Sequence, residues 1–385
     1  MSDRAALREA ARALDSERVI AALDAVFAAW RAPGSDWRAA LASARPVWSR
    51  AAIERGVHDG LEGWTAEALR RLRRRELENA RAPQLAAVWL AETVPTGTFA
   101  ALALPLLAGC AVQAKPASVD PETPRLFADS LRDRDAGVAD ALAVDADDSA
   151  LDEADAVVAY GSDETVAALR ARSAPRPFVG YGHKLSAAAV GPAADLADAA
   201  SRAAIDLCLW DGRGCLSPGW IFVDDPDGGG PGGCTRAFGA ALADALERLR
   251  EDIPRGALQP GEAVALRERR TREALRSRAC WFSPGDTSSD WGVFVAGAEP
   301  APGVLRHVPL LAVDGIDGLA ARCASLAPGL SSLGHEGFGG EPRLLEIARA
   351  GGGSRVCALG RMQLPPIDWP HDGMGALQPV VTGPS

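Results

Sequence analysis

Between Leu85 and Tyr181, short apolar runs alternate with helical stretches of ten or so residues. That alternation restricts the chain to a layered α/β fold built on a parallel sheet. Strands are predicted at Leu85–Leu90, Cys110–Ala114, Val138–Val144, Ala156–Tyr160 and Pro177–Tyr181, with helices at Phe99–Leu107, Pro121–Leu131 and Asp163–Arg172 between them. A second α/β region follows. Its helices are predicted at Leu196–Leu209, Arg236–Arg250 and Glu262–Arg278, and its strands at Trp220–Val223, Trp291–Val295 and Pro309–Val313. Residues 1–84 place Ala, Leu, Val and Trp at three- and four-residue spacing and read as helices. Within them the arginine-rich run Ala68–Arg81 reads as a solvated helix face. Asp224–Gly233 is a glycine-rich loop.

At 385 residues the chain exceeds one ordinary core. The predicted division is N-terminal helices with a dinucleotide-binding domain over 1–185, a catalytic α/β domain over 186–360, and a Pro/Gly-rich tail over 361–385 packing back on the cofactor domain. A net charge of −10 argues against a nucleic-acid partner, which needs a basic footprint. No apolar run is long enough to span a membrane, and the N-terminus has no signal-peptide pattern. The seven cysteines (110, 208, 215, 234, 280, 323 and 357) are odd in number and form no CxxC pair. Neither a disulfide framework nor a zinc site fits, so no metal is expected and a reducing cytoplasm is the expected location.

Only two of the 41 basic residues are lysine, Lys115 and Lys184, and both stand in glycine- or proline-marked motifs. A compact ammonium on a flexible stem does what an arginine fork cannot. Lys115 ends a strand in Ala108–Ser118, at the sheet edge where ligands bind, and can meet ribose hydroxyls or a phosphate. In Val157–Thr165 a strand ends in Gly161-Ser162 and a helix begins, so free N–H groups there can cradle a diphosphate. Simple N-capping by Ser162 or Asp163 explains the same residues. Gly180–Ser186 (GYGHKLS) contains Gly182, His183 and Lys184. In Trp210–Gly219 (WDGRGCLSPG) Cys215 sits in a glycine-rich turn. Glycines let a substrate carbonyl approach the backbone, the Cys215 N–H can face a developing oxyanion, and a thiolate attacks a thioester well.

Taken in order, these four motifs resemble the aldehyde-dehydrogenase superfamily, and within it the LuxC-like acyl-CoA reductases. The superfamily's AGNxVxxKPSE is similar to Ala108–Ser118, its FTGS to Ala159–Ser162, its ELGGK to Gly180–Lys184 and its GQxC to Gly212–Cys215. YGSDETV, GHKLS, RGCLSP and the tail Gly360–Gly373 resemble the LuxC-like branch. The resemblance spans about 85–373. It implies an α/β aldehyde-dehydrogenase-like fold, with a Rossmann-type cofactor domain and an α/β catalytic domain. Lys115, Ser118, Gly161, Ser162 and Gly182 would contact the cofactor, and Cys215 would be the nucleophile.

The chain departs from the superfamily pattern at several positions. Gly180 stands where the superfamily has the hydrolytic Glu, so an acyl-enzyme would survive for reduction. Ser118 stands where a Glu favours NAD, which leaves room for a 2′-phosphate beside Lys115 and implies NADPH over NADH. No oxyanion Asn is evident in Glu92–Thr96. Leu305 replaces a ribose-holding Glu. Nearby His307, and His183 beside Lys184, become candidate acid/base residues, whereas His371 is assigned to tail packing. The expected reaction is NADPH-dependent reduction of an acyl-CoA or acyl-carrier-protein thioester to an aldehyde through a Cys215 acyl-enzyme. Homo-oligomerisation or a complex with an acyl-donor enzyme fits the same reading. An acyltransferase using Cys215 without hydride transfer, and a non-catalytic subunit of the same fold, are the alternatives.

Overall fold

The computed structural model describes residues 4–77, 83–230, 232–276, 281–284, 289–296 and 300–380. They divide into two compact units, one of residues 1–45, 57–183 and 366–385, the other of 46–56 and 184–365.

The first unit holds five strands: β1 (Leu85–Trp89), β2 (Ala111–Lys115), β3 (Leu142–Ala143), β4 (Ala156–Tyr160) and β5 (Phe178–Tyr181). They form a parallel sheet in the order β3-β2-β1-β4-β5. β1, β2 and β4 are buried along nearly their whole length, as strands covered on both faces must be. The chain leaves β1 toward β2 and later returns to the other side of β1 as β4. The β1/β4 boundary is therefore a switch point, where the two crossovers part and open a crevice at the carboxyl ends of the strands. Pro95 starts the helix after β1, and Gly109 at φ 99° ends it in the left-handed conformation.

The predicted strand Val138–Val144 is replaced by a one-turn helix, Ala136–Ala139, and the two-residue β3. The Asp135 carboxylate accepts from the Val138 N–H at 3.0 Å and caps that helix, local chemistry that overrides a short apolar run. The arginine-rich helix is Ala66–Leu77, and the remainder of Ala68–Arg81 lies outside the described residues. From Pro366 on, the tail belongs to this unit. The Glu76 carboxylate accepts from the N–H groups of Ala376 and Leu377, and Leu377 and Val380 are buried.

The second unit contains β6 (Leu185–Val190), β7 (Pro218–Asp224), β8 (Trp281–Phe282), β9 (Gly292–Val295), β10 (His307–Val313), β11 (Leu330–Glu336) and β12 (Arg355–Ala358). The sheet order is β12-β11-β6-β7-β10-β9-β8, parallel except for β8 against β9. Apolar clusters cover both faces. Helices Leu196–Cys208 and Cys234–Asp252 supply one, and helices Gly315–Ser325 and Glu341–Ala350 the other. The sequence reading marks neither β6 nor β11 and β12. β6 reads LSAAAV, and alanine carries little strand preference, so burial between two neighbours makes it a strand. The predicted Glu262–Arg278 helix runs Pro260–Arg276, with the last two residues outside the described set.

Candidate active site

In the first unit, the residues singled out from sequence gather at the carboxyl ends of the strands. Lys115 ends β2, directly opposite Trp89 at the end of β1. Its Nζ lies 4.0 Å from the Trp89 ring centroid, a cation–π contact, and 3.7 Å from Asp148 Oδ1. Ser118 is exposed, in a tight turn closed by a 3.0 Å bond from the Asp120 N–H to the Ala117 carbonyl. Gly161 follows β4, and Ser162 is the N-cap of helix Asp163–Ser173, its hydroxyl accepting from the Thr165 N–H at 3.3 Å.

That helix start already attracts negative charge. The backbone N–H of Glu164 and the Ser162 hydroxyl hold the exposed Glu164 carboxyl below the usual range. The Asp163 carboxylate turns to the neighbouring loop, where Oδ1 accepts from the His183 N–H at 2.9 Å. A Cβ at Gly182 would stand 2.2 Å from that same oxygen, so a larger residue there would displace the Asp163 carboxylate from its bond to the loop. The His183 ring is exposed. Gly180 lies within β5, and a Cβ there would come within 2.3 Å of Val166 Cγ1. Its side-chain direction is filled by packing, so the position that carries the superfamily's Glu has no room for one here.

An aromatic ladder that the sequence reading does not identify stands on the same edge. Tyr160 stacks on Tyr181 at 4.9 Å, Tyr181 on His371 at 4.5 Å, and Trp369 packs on His371 at 4.6 Å. The only signal for it is the pair of tyrosines at matching strand ends with the tail's WPH.

In the second unit, Cys215 is exposed in the turn between helix Leu196–Cys208 and β7. The turn is built on left-handed backbone at Asp211 (φ 55°) and Gly212 (φ 67°). Asp211 is fully buried. One of its carboxylate oxygens meets the buried Arg306 guanidinium; the other accepts from the Gly256 N–H at 3.0 Å and from Arg213 at 3.1 Å. Arg213 also makes a bidentate pair with Glu262, at 2.9 and 2.8 Å. Beyond the thiol, Ser217 Oγ accepts from Gln363 Nε2 at 2.8 Å, and the Cys215 carbonyl accepts from Ser186 Oγ at 2.8 Å. Gln363 comes from the GRMQLPP stretch, and it is delivered by buried Asp206, which binds the Gly360 and Met362 N–H groups at 2.6 and 3.0 Å.

Among the other described cysteines, burial pushes the thiols of Cys110 and Cys323 up to about 12, and those of Cys208 and Cys357 up to about 11. Cys234 is exposed at the start of a helix, and Cys280 lies outside the described residues. Lys184 donates to the Gly352 carbonyl at 3.2 Å.

The other candidate histidine does not fit an acid/base role. His307 is 1% exposed; Nδ1 bonds the Leu305 carbonyl at 2.8 Å and Nε2 faces Arg270 at 3.1 Å. Because arginine only donates, Nε2 must accept and the ring is neutral, with burial lowering its pKa to about 3. The buried, neutral ring is held by these two bonds. No oxyanion asparagine stands in the Glu92–Thr96 loop, where Glu92 pairs with Arg45 at 2.7 Å, and asparagine occurs once in the whole chain, at 79.

Two parallel sheets of this order match oxidoreductases of the aldehyde-dehydrogenase fold. An oxidoreductase from Marinobacter aquaeolei superposes with a TM-score of 0.74 over 96% of this chain and 85% of its own, at 15% identity. An NADP-dependent glyceraldehyde-3-phosphate dehydrogenase from Bacillus halodurans gives 0.73 over 98% and 87%, at 13% identity. An NAD-dependent benzaldehyde dehydrogenase from Corynebacterium glutamicum gives 0.71 over 98% and 85%, at 16% identity. The family model for acyl-CoA reductase (LuxC) matches residues 7–383, and the chain belongs to that family of oxidoreductases. No curated protein sequence matches it. Among the described residues no helix is long and apolar enough to cross a membrane, and no cluster of ligating side chains could hold a metal ion.

Proposed function

We propose that the protein reduces an acyl thioester, of CoA or an acyl-carrier protein, to an aldehyde through an acyl-enzyme on Cys215, with NADPH as reductant. One observation carries the reading. Cys215 is exposed in a motif turn held by the linked pair Asp211 and Arg213, by Ser186 and by Gln363, whereas burial raises the thiols of four other cysteines. A rigidly held, accessible sulfur is what a nucleophile requires. Cys215 Sγ attacks the thioester carbon, the carbon–sulfur bond to the carrier breaks, and the carrier thiolate leaves and takes a proton from solvent.

The carboxyl edge of the first sheet fits a dinucleotide. Lys115 supplies a cation, Trp89 an apolar face, and Gly161 leads into the helix start capped by Ser162. When bound, the reduced nicotinamide supplies the hydride that converts the acyl group to the aldehyde oxidation level. Ser118 supports NADPH, because its short, exposed side chain carries no charge of its own to repel a 2′-phosphate. His183, exposed in the loop next to Lys184, is the candidate proton carrier. The filled space at Gly180 supports reduction over hydrolysis, since no base stands there to activate water.

The test is intact-protein mass spectrometry after mixing with an acyl-CoA alone, then with NADPH. The reductase gives an adduct on Cys215 that NADPH discharges as aldehyde. An adduct that NADPH cannot touch makes the protein an acyltransferase, and no adduct with any acyl-CoA or acyl-carrier protein leaves a non-catalytic subunit.

A further inference from the structure

We propose that buried Ser186 is a positioning residue that aims the Leu216 N–H at the oxyanion formed when a thioester acylates Cys215. The inference rests on Cys215 as the nucleophile and identifies the donor that the chain uses in place of an asparagine side chain.

Two hydroxyls meet on neighbouring strands of the second sheet, Ser186 on β6 and Ser332 on β11, both fully buried. Burying a hydroxyl there is unfavourable unless its hydrogen finds an acceptor. Ser186 Oγ lies 2.8 Å from the Cys215 carbonyl oxygen, to which only it can donate, so its single hydrogen is committed. The 2.9 Å contact with Ser332 Oγ must then run from Ser332 to Ser186. The result is a directed chain, Ser332 to Ser186 to the Cys215 carbonyl.

The strands deform at this point. The β6/β7 ladder shifts register between Ser186 and Ala187, and the β6/β11 ladder shifts between Leu330 and Leu333. Irregularities of this kind re-aim side chains. Here two of them bracket the serine pair.

The consequence follows from peptide geometry. Among the described residues the only cis bonds precede prolines 175 and 328, so the Cys215–Leu216 peptide is trans and planar, its C=O and N–H pointing opposite ways. With the carbonyl drawn inward to Ser186, the Leu216 N–H points away from the buried pair. That N–H forms no hydrogen bond among the described residues. As sulfur adds to the thioester carbon, the carbonyl π pair moves onto oxygen, and a fixed N–H at that place lowers the barrier. The oxyanion then re-forms the carbonyl and expels the carrier thiolate.

The experiment compares two reactions of the same sulfur. Acylation by an acyl-CoA builds an oxyanion, whereas alkylation by iodoacetamide displaces iodide and builds none. In the full-length protein, Ser186→Ala is expected to slow Cys215 acylation at least about tenfold, while alkylation of Cys215 changes less than about twofold. Ser332→Ala, which only slackens Ser186, is expected to act in the same direction with a smaller loss, and it serves if Ser186→Ala does not fold. Parallel loss of both rates would reduce the serines to structural parts and overturn the inference, as would unchanged acylation. If the parent protein gives no Cys215 adduct, the Cys215 reading itself fails; a parent adduct that forms equally fast in the serine variants removes only this inference.

Discussion

The Arg306 guanidinium lies 2.5 Å from Asp211 Oδ1, with the two side chains 1% and 0% exposed. Four residues before the proposed nucleophile, the pair ties its turn to the start of β10. Arg306 also donates to the carbonyls of Ile253 and Cys208, at 2.8 and 3.2 Å, so its donors are matched to main chain as well as to charge. A buried ion pair adds little over an apolar one, but removing one partner strands the other's charge. Arg306→Met or Asp211→Ala is therefore expected to cost about 3–5 kcal/mol, read from denaturant unfolding. A loss under about 1 kcal/mol would show that the pair does not anchor the turn.

Cys215→Ser is expected to abolish aldehyde formation while NADPH binding stays within about twofold, because the proposed cofactor contacts come from the other unit. Cys234→Ser is the informative control, as Cys234 is the other described cysteine with an exposed thiol. Its turnover should match the parent; loss of turnover in Cys234→Ser with retention in Cys215→Ser would reverse the assignment.

Ser118→Glu is expected to weaken NADPH binding about tenfold or more, about 1.4 kcal/mol, by placing a carboxylate near the 2′-phosphate. Asp148 already competes for Lys115 at 3.7 Å, so Asp148→Asn should act the other way and tighten NADPH. Fluorescence titration with both nucleotides decides. Tighter NADH than NADPH binding in the parent would end the argument from Ser118.

Acid stability should depend on His307. Its folded pKa of about 3 lies below the usual 6.5, so the folded state binds fewer protons. Its contribution is complete above about pH 6.5 and is lost as pH falls toward 3, at up to about 1.4 kcal/mol per unit. Asp206 works in the opposite sense. Burial raises its carboxyl from 3.8 to about 7, against the Gly360 and Met362 N–H groups, so its contribution is complete below about 3.8 and fades as pH rises to 7. Unfolding midpoints of His307→Gln between pH 4.5 and 7.5 should therefore fall less on acidification than the parent's. An unchanged slope would mean that His307 titrates normally.

Much of the candidate site is legible in the sequence because it is local. The strand–helix alternation, the Lys115, Gly161-Ser162 and Gly182 motifs at strand ends, and Cys215 in its glycine turn each lie within a dozen residues. The same locality makes His307 resemble a base beside a motif position, and nothing local reveals that Arg270 and the Leu305 carbonyl flank it. Gly180 marks a position where the resemblance expects a Glu, and only packing shows that Val166 fills the space beside it.

Sequence by itself determined the family, the parallel α/β class and the position of the candidate nucleophile, since each is carried by residue type and short-range period. Tertiary structure alone decided how that nucleophile is held. Asp211 meets Arg306 across 95 residues, Ser186 reaches the Cys215 carbonyl across 29, and Gln363 reaches Ser217 across 146. β6, which carries Ser186, is an alanine run with no strand signal of its own. Contacts of this kind form only when a sheet brings distant strands side by side, because hydrogen bonds and ion pairs depend on ångström separations that no local window of sequence contains.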